Sequence, residues 1–296
     1  MGSSQFKRWI GGALIWVLAL VVMLTHPAFA QVQSITAQGN AANKLKLADR
    51  QRLLTEQMGR SVCLVMGGID PGAESDKARG SADLFHTTMR ALRTGDENMA
   101  ILPEEDPGVL TALDAVAPIF ATYRAATLQV GAGDLHSVPV SQVMLLSDPL
   151  LEMSNALVER VRAAHGSKAN RQLSDTVELA RRQTMLSQKL TKEICFAALN
   201  IDRPRMQRRL KETLQAFETA QAALERGNMA RGILKPTPAM ARKLKAVRVL
   251  WTPLAEIADQ VAAGGDLDHE ALEDMIALSN RLLFKTKQAA RSYAKL

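Results

Sequence analysis

Apolar residues recur every three to four positions over long stretches of this chain, and strict polar–apolar alternation is nearly absent. That period predicts helices over 41–66, 77–93, 108–129 and 141–164, and again over 171–199, 204–226, 238–263 and 268–295. Breaks fall where Gly and Pro gather, at Gly67-Gly68, Pro71-Gly72, Pro107-Gly108, Gly131 to Gly133 and Gly264-Gly265. Asp268 ahead of Glu270, and Asp202 ahead of Pro204, are helix-start signals. Short connections imply antiparallel neighbours, so each group of four helices reads as an up-down bundle. The expected fold class is all-α, with two tandem four-helix-bundle repeats over 44–166 and 171–296. The segment 31–43 shows no apolar period and reads as mobile.

The two groups are related in sequence. Leu47-Ala48-Asp49-Arg50-Gln51-Arg52-Leu53-Leu54 returns as Leu179-Ala180-Arg181-Arg182-Gln183-Thr184-Met185-Leu186, an offset of 132 from Leu47 to Leu179. At the same offset Cys63 falls on Cys195, Asp70 on Asp202, Phe85 on Phe217, Gly95 on Gly227 and Gly133-Asp134-Leu135 on Gly265-Asp266-Leu267. One register held so far marks an internal repeat. It shortens near the ends, where Ser154-Asn155 matches Ser279-Asn280, an offset of 125 from Ser154 to Ser279; the excess is expected in the loop around His136 to Ser141.

Residues 1–30 read as a secretory signal, with Lys7 and Arg8 ahead of an apolar run over 10–24 and Ala28-Phe29-Ala30 as the cleavage site. The rival reading is an uncleaved N-terminal anchor, since the apolar run is nearly long enough to span a membrane. Either way the rest of the chain is expected in the periplasm, with no second span and no cytoplasmic output domain. The net charge of +7 falls to +5 without Lys7 and Arg8. Behind a signal peptide that excess favours small anions, acidic partners or a membrane surface over nucleic acid.

No catalytic constellation stands out. The histidines are His26, His86, His136, His165 and His269, with no HExxH, no Glu-x-x-His pair and no Cys-x-x-Cys, so neither a metal nor any other cofactor is expected and the chain does not read as an enzyme. The acidic groups Glu104-Glu105-Asp106 and Asp266 to Glu270 read as helix caps.

The duplicated Arg-Gln helix is the chemical feature. At about 100° per residue, Leu47, Leu54, Met58 and Val65 share a stripe with Arg50 inside or bordering it, and Arg182 stands likewise between Leu179 and Leu186. That stripe is expected inside its own bundle, where an arginine needs a carboxylate, helix carbonyls or a bound anion. The opposite face carries Arg52, Glu56, Gly59 and Cys63, and in the second unit Thr184, Gln188, Thr191 and Cys195. If the units pair about a twofold axis along these helices, Cys63 and Cys195 meet and an oxidising compartment joins them; two buried free thiols are the alternative.

The strings around Arg50 and Arg182 resemble the A-G-R-Q-R-M-L-S-Q-R-M signature of the PilJ-type domain, the N-terminal domain of type IV pilus methyl-accepting chemotaxis transducers. That domain is similar to the periplasmic sensor domain of NarX-like nitrate/nitrite sensor kinases. The resemblance covers nearly the whole chain after the signal and implies a periplasmic helical sensor of small ligands. It also implies that one arginine per unit holds an anion on the axis; that arginine falls on Arg52, but on Thr184 in the second unit, which breaks a symmetric clamp. Arg50, Gln51, Arg52, Arg182 and Gln183 are therefore the candidate ligand-binding residues, with Arg181 and Lys189 as further sources of charge. The expected function is an exported, non-enzymatic sensor-type module binding a small anion, plausibly nitrate or nitrite, and acting through a membrane sensor or transporter. The alternative is a structural or adaptor protein of an envelope or type IV pilus-related complex with no ligand.

Overall fold

The structure, a computed structural model, describes residues 35–166 and 171–296; the signal expected over 1–30 lies outside them. Among the described residues the regular structure is helical. The helices are α1 (Ala37–Met66), α2 (Pro71–Thr94), α3 (Pro107–Gly131), α4 (Ser137–His165), α5 (Arg171–Ala198), α6 (Arg203–Arg226), α7 (Pro238–Ala262) and α8 (His269–Tyr293). In the first half α1 and α3 each pack against both α2 and α4, closing a ring; α5 to α8 close a second ring the same way.

Three helix starts differ from the periodicity, each for a local reason. α1 begins at Ala37 because the Thr36 hydroxyl accepts the Gly39 N–H at 3.1 Å. Its polar first turns are held from outside: Asn40 Oδ1 accepts the Leu102 N–H at 2.8 Å, and Asn43 Nδ2 donates to the Ala100 carbonyl at 3.2 Å. Residues 37–43 are thus helical rather than mobile. α2 begins at Pro71, because proline opens a helix as readily as it ends one. α4 begins at Ser137, so the residues by which the first half exceeds the second are the opening turns of a helix, with Pro139 and Val143 buried there, and not a loop.

Local geometry recurs between the halves. Asp70 and Asp202 both take left-handed backbone, with φ 42° and 43°, ahead of α2 and α6. Phe85 stacks on Phe120 at 4.1 Å between centroids, and Phe217 on Trp251 at 3.7 Å. Isolated antiparallel bridges, Asp96 with Ile101 and Asn228 with Ile233, pin the loops after α2 and α6.

The halves meet along α1 and α5, which run parallel and in register. A disulfide joins Cys63 to Cys195, 132 residues apart, with their Cα atoms separated by 6.1 Å. Arg181 of α5 donates to Asp49 of α1 at 2.8 Å, again 132 residues apart. The largest apolar cluster crosses the seam, with Cys63, Leu64, Ile69 and Leu151 of the first half among Leu190, Ile194, Phe196 and Trp251 of the second. This explains why α1 is buried almost all round from Leu47 to Val65. Among the described residues, α3 alone is long and apolar enough to cross a membrane, yet Val109, Leu113, Val116, Phe120, Tyr123 and Val130 are buried against the other helices.

Candidate functional site

Arg52 lies in the α1–α5 seam, and its charge is already matched. It is 4% exposed and bonds Asp49 of its own helix and, at 3.0 Å, Oε1 of Glu178 on α5. Burial disfavours its charge, but these two carboxylates outweigh that and hold the guanidinium above its ordinary range. Arg181 is drawn to the same Asp49, and Lys189 to Glu193 and, at 2.9 Å, to the Thr213 hydroxyl. Deeper in the seam Lys192 reaches Glu56 at 2.7 Å and Ser147 Oγ at 2.6 Å. Thr184, opposite in the repeat to Arg52, turns its hydroxyl back to the Ala180 carbonyl at 3.4 Å. Among the described residues the seam is a set of ion pairs in which each of these cations already has a carboxylate.

Arg50 is different. It is half-buried and forms no hydrogen bond or ion pair among the described residues. It stands outside its own bundle's interior, contrary to the reading of the apolar stripe, because α1 turns this edge toward α8. The two helices touch where Arg60 Nη2 donates to Asn280 Oδ1 at 2.8 Å. They run antiparallel, so ten residues back along α1 and eleven forward along α8, about 15 Å each way, bring Arg50 level with Arg291. Lys46 and Lys287 lie one turn from each.

Three of these four cations are pushed below their ordinary range. Burial and then the Arg291 charge push Arg50 below its ordinary range. Burial, Arg291 and Arg50 do the same to Lys287. Lys46 is lowered by burial, Arg50, Arg181 and Arg291. Every charge that acts on the three is positive, and such a cluster is stabilised by an anion that brings no cation with it.

The remaining candidates are dispersed. Gln51 and Gln183 are buried inside their own rings, where their amides donate to the carbonyls of Phe85 at 3.5 Å and Phe217 at 3.2 Å. Gln183 also bonds Gln221 Oε1 at 3.1 Å. They tie α1 to α2 and α5 to α6 and do not reach Arg50. Arg182 is exposed rather than packed in its bundle, on a groove shared with Arg162, Asp175 and Glu178. There the charges are mixed, with Arg162 3.9 Å from Asp175 and 3.7 Å from Glu178. Glu178 occupies the repeat position of Lys46, so the counterpart groove is neutralised where the first is not.

Lys46, Lys287 and Arg291 were not singled out by sequence reasoning, although a signal existed. Lys46 with Arg50, and Lys287 with Arg291, are like-charged i,i+4 pairs, which a helix disfavours unless something compensates. Their meeting across α1 and α8 is a tertiary fact. Among the described residues no three His, Cys, Asp or Glu side chains gather as a metal-binding group. The arrangement can hold a negative charge by hydrogen bonds and Coulomb attraction; it presents no nucleophile and base in contact. No curated protein is similar enough to match the chain. Residues 167–272, which take in α5, α6, α7 and the first residues of α8, match the PilJ family, described as the type IV pili methyl-accepting chemotaxis transducer N-terminal region.

Proposed function

We propose that this protein is an exported, non-enzymatic sensor-type module of two tandem PilJ-type four-helix bundles, which binds a small oxyanion and acts through a membrane-bound partner. The observation that carries the reading is the half-buried Arg50 with Lys46, Lys287 and Arg291 and no counter-charge. A folded chain tolerates such a cluster when an anion occupies it. The site would differ from that implied for NarX-like sensors, since Arg52 is committed to Asp49 and Glu178. A buried disulfide between the halves suits an oxidising compartment such as the periplasm. Isothermal titration of the mature protein with nitrate, nitrite and sulfate tests this directly. Heat is expected at millimolar anion or below, reduced at least tenfold in affinity by Arg50→Ala combined with Lys287→Ala. No heat with any of the three would refute it.

The adaptor reading draws on one observation, the internal pairing of Arg52, Arg181 and Lys192. Under it the Arg50→Ala, Lys287→Ala protein behaves as the parent toward every anion, and only pairs such as Arg52–Glu178 matter, through stability.

A further inference from the structure

Beside the Arg60–Asn280 contact, α1, α2 and α8 line a solvent-open cavity of about 380 Å³, within the range of small-molecule sites between helices. Its apolar wall is Leu54, Leu84 and Leu283, and its polar wall includes Gln57, Ser81 and Lys77. Arg60 also lines it, 4% exposed, with its Nε lacking a hydrogen-bond partner among the described residues. A single carboxylate, Glu74, serves this wall. It takes Lys77 Nζ at 2.7 Å, the Ser61 hydroxyl at 2.7 Å and the Arg60 guanidinium at 3.5 Å. Two cations against one anion leave the wall positive. One turn past Leu54 on α1 stands Arg50, and one turn past Leu283 on α8 stands Lys287, so the cavity leads along the groove to the unpaired cations.

Gly80 sits at the mouth of this cavity, within α2. Glycine inside a helix costs about 1 kcal/mol relative to alanine, and no neighbour demands it: a Cβ there would meet no atom within 4 Å. What glycine provides is an open entrance. In the second half only the part of the equivalent space beside Glu193 is filled, while Glu212 and Ala216, in the repeat positions of Gly80 and Leu84, line the groove shared with Arg182. Glu212 stands in the repeat position of Gly80, Glu193 in that of Ser61 and Lys189 in that of Gln57. Lys189 pairs with Glu193, Arg209 bonds Glu212 at 3.1 Å, and the void beside Lys192, Glu193 and Arg209 is about 10 Å³. The space that stays open beside Ser61 is thus filled beside Glu193.

We infer that this cavity is a binding site for a small organic carboxylate, whose apolar body lies against Leu54, Leu84 and Leu283 and whose charge is held by the cations of the groove. The inference rests on the anion-binding reading above for the charge alone; the apolar body is new. Titration of the mature protein with acetate, butyrate and hexanoate, and in parallel with sulfate, tests it. Affinity is expected to rise with chain length, by up to about fourfold for each methylene buried. Gly80→Leu should weaken hexanoate at least tenfold and leave sulfate unchanged. Its melting temperature should equal or exceed that of the parent, since leucine is the better helix former, so that lost binding is not lost folding. Hexanoate binding no tighter than acetate, or a Gly80→Leu protein that binds hexanoate as the parent does, would overturn the inference. In that case sulfate binding would leave the anion-binding reading standing, whereas silence toward every probe would end both.

Discussion

Arg50 and Arg52 are two residues apart on one helix and meet opposite fates. Arg52 bonds Asp49 of its own helix and reaches across the seam to Glu178, while Arg50 lies among other cations beside α8. Removing them should therefore act in opposite directions. Arg52→Ala takes one cation from each of two seam carboxylates but leaves Asp49 with Arg181 and Glu178 with Arg162, so denaturant unfolding should show a loss of at most about 3 kcal/mol, the scale for breaking a buried pair outright. Arg50→Ala relieves like-charge repulsion. In low salt and without added anion its melting temperature should match or exceed the parent's, with any gain fading as salt screens the cluster. The sequence placed both arginines on a helix but not their partners, because Glu178 lies 126 residues from Arg52 and nothing local announces it.

Of the acidic residues ahead of α3, Asp106 caps the helix by accepting the Val109 N–H at 2.9 Å. Glu104 instead is buried with Lys44 at 3.0 Å and His165 at 2.9 Å. Burial pushes its carboxyl up, but the Asp106 N–H, His165 and Lys44 together hold it below its ordinary 4.5. Its folded pKa is depressed, so its contribution to stability is complete above 4.5 and is lost as pH falls through the folded value. Unfolding measured between neutral pH and pH 3 should show that loss in the parent, and a flatter acid limb for Glu104→Gln, which starts less stable.

Among the elements, α1 carries most of the account. Its period was legible because Leu47, Leu54, Met58 and Val65 fall on one face, and the residues of its other face, Arg52, Glu56, Gly59 and Cys63, were legible as a second stripe. What the period could not show is that this second stripe is buried as deeply as the first, against α5. Helix starts were hidden for a related reason. The first turns of α1 are fastened by Asn40 and Asn43, and those of α4 are residues that the repeat lacks, with Pro139 and Val143 buried, so neither carries a clean apolar period. The Cys63–Cys195 bond clamps α1 to α5 across 132 residues of chain. Closing a loop of that length restricts the unfolded chain, and on the loop-entropy account Cys63→Ser with Cys195→Ser should lower stability by about 5 kcal/mol. Guanidinium unfolding of the parent with and without reductant should reproduce the difference.

At the scale of the molecule, two like halves enclose unlike grooves. The one beside α8 gathers Lys46, Arg50, Lys287 and Arg291, while the one beside α4 sets Arg162 and Arg182 among Asp175 and Glu178. The repeat was visible at once in the chain, since one offset aligned the two Arg-Gln helices. The divergence of function was visible only in part, in the change from Arg52 to Thr184. The more telling change, Lys46 to Glu178, gained meaning once α1 and α8 were seen to be neighbours. We propose that the groove beside α8 holds an anion and its counterpart beside α4 does not. Crystals of the mature protein soaked in selenate, an oxyanion locatable by anomalous scattering, test this most directly. An anomalous peak bridging Arg50 and Lys287, with none beside Arg182, is the expected result. A peak beside Arg182 and none at Arg50, or no peak in either groove, would contradict it.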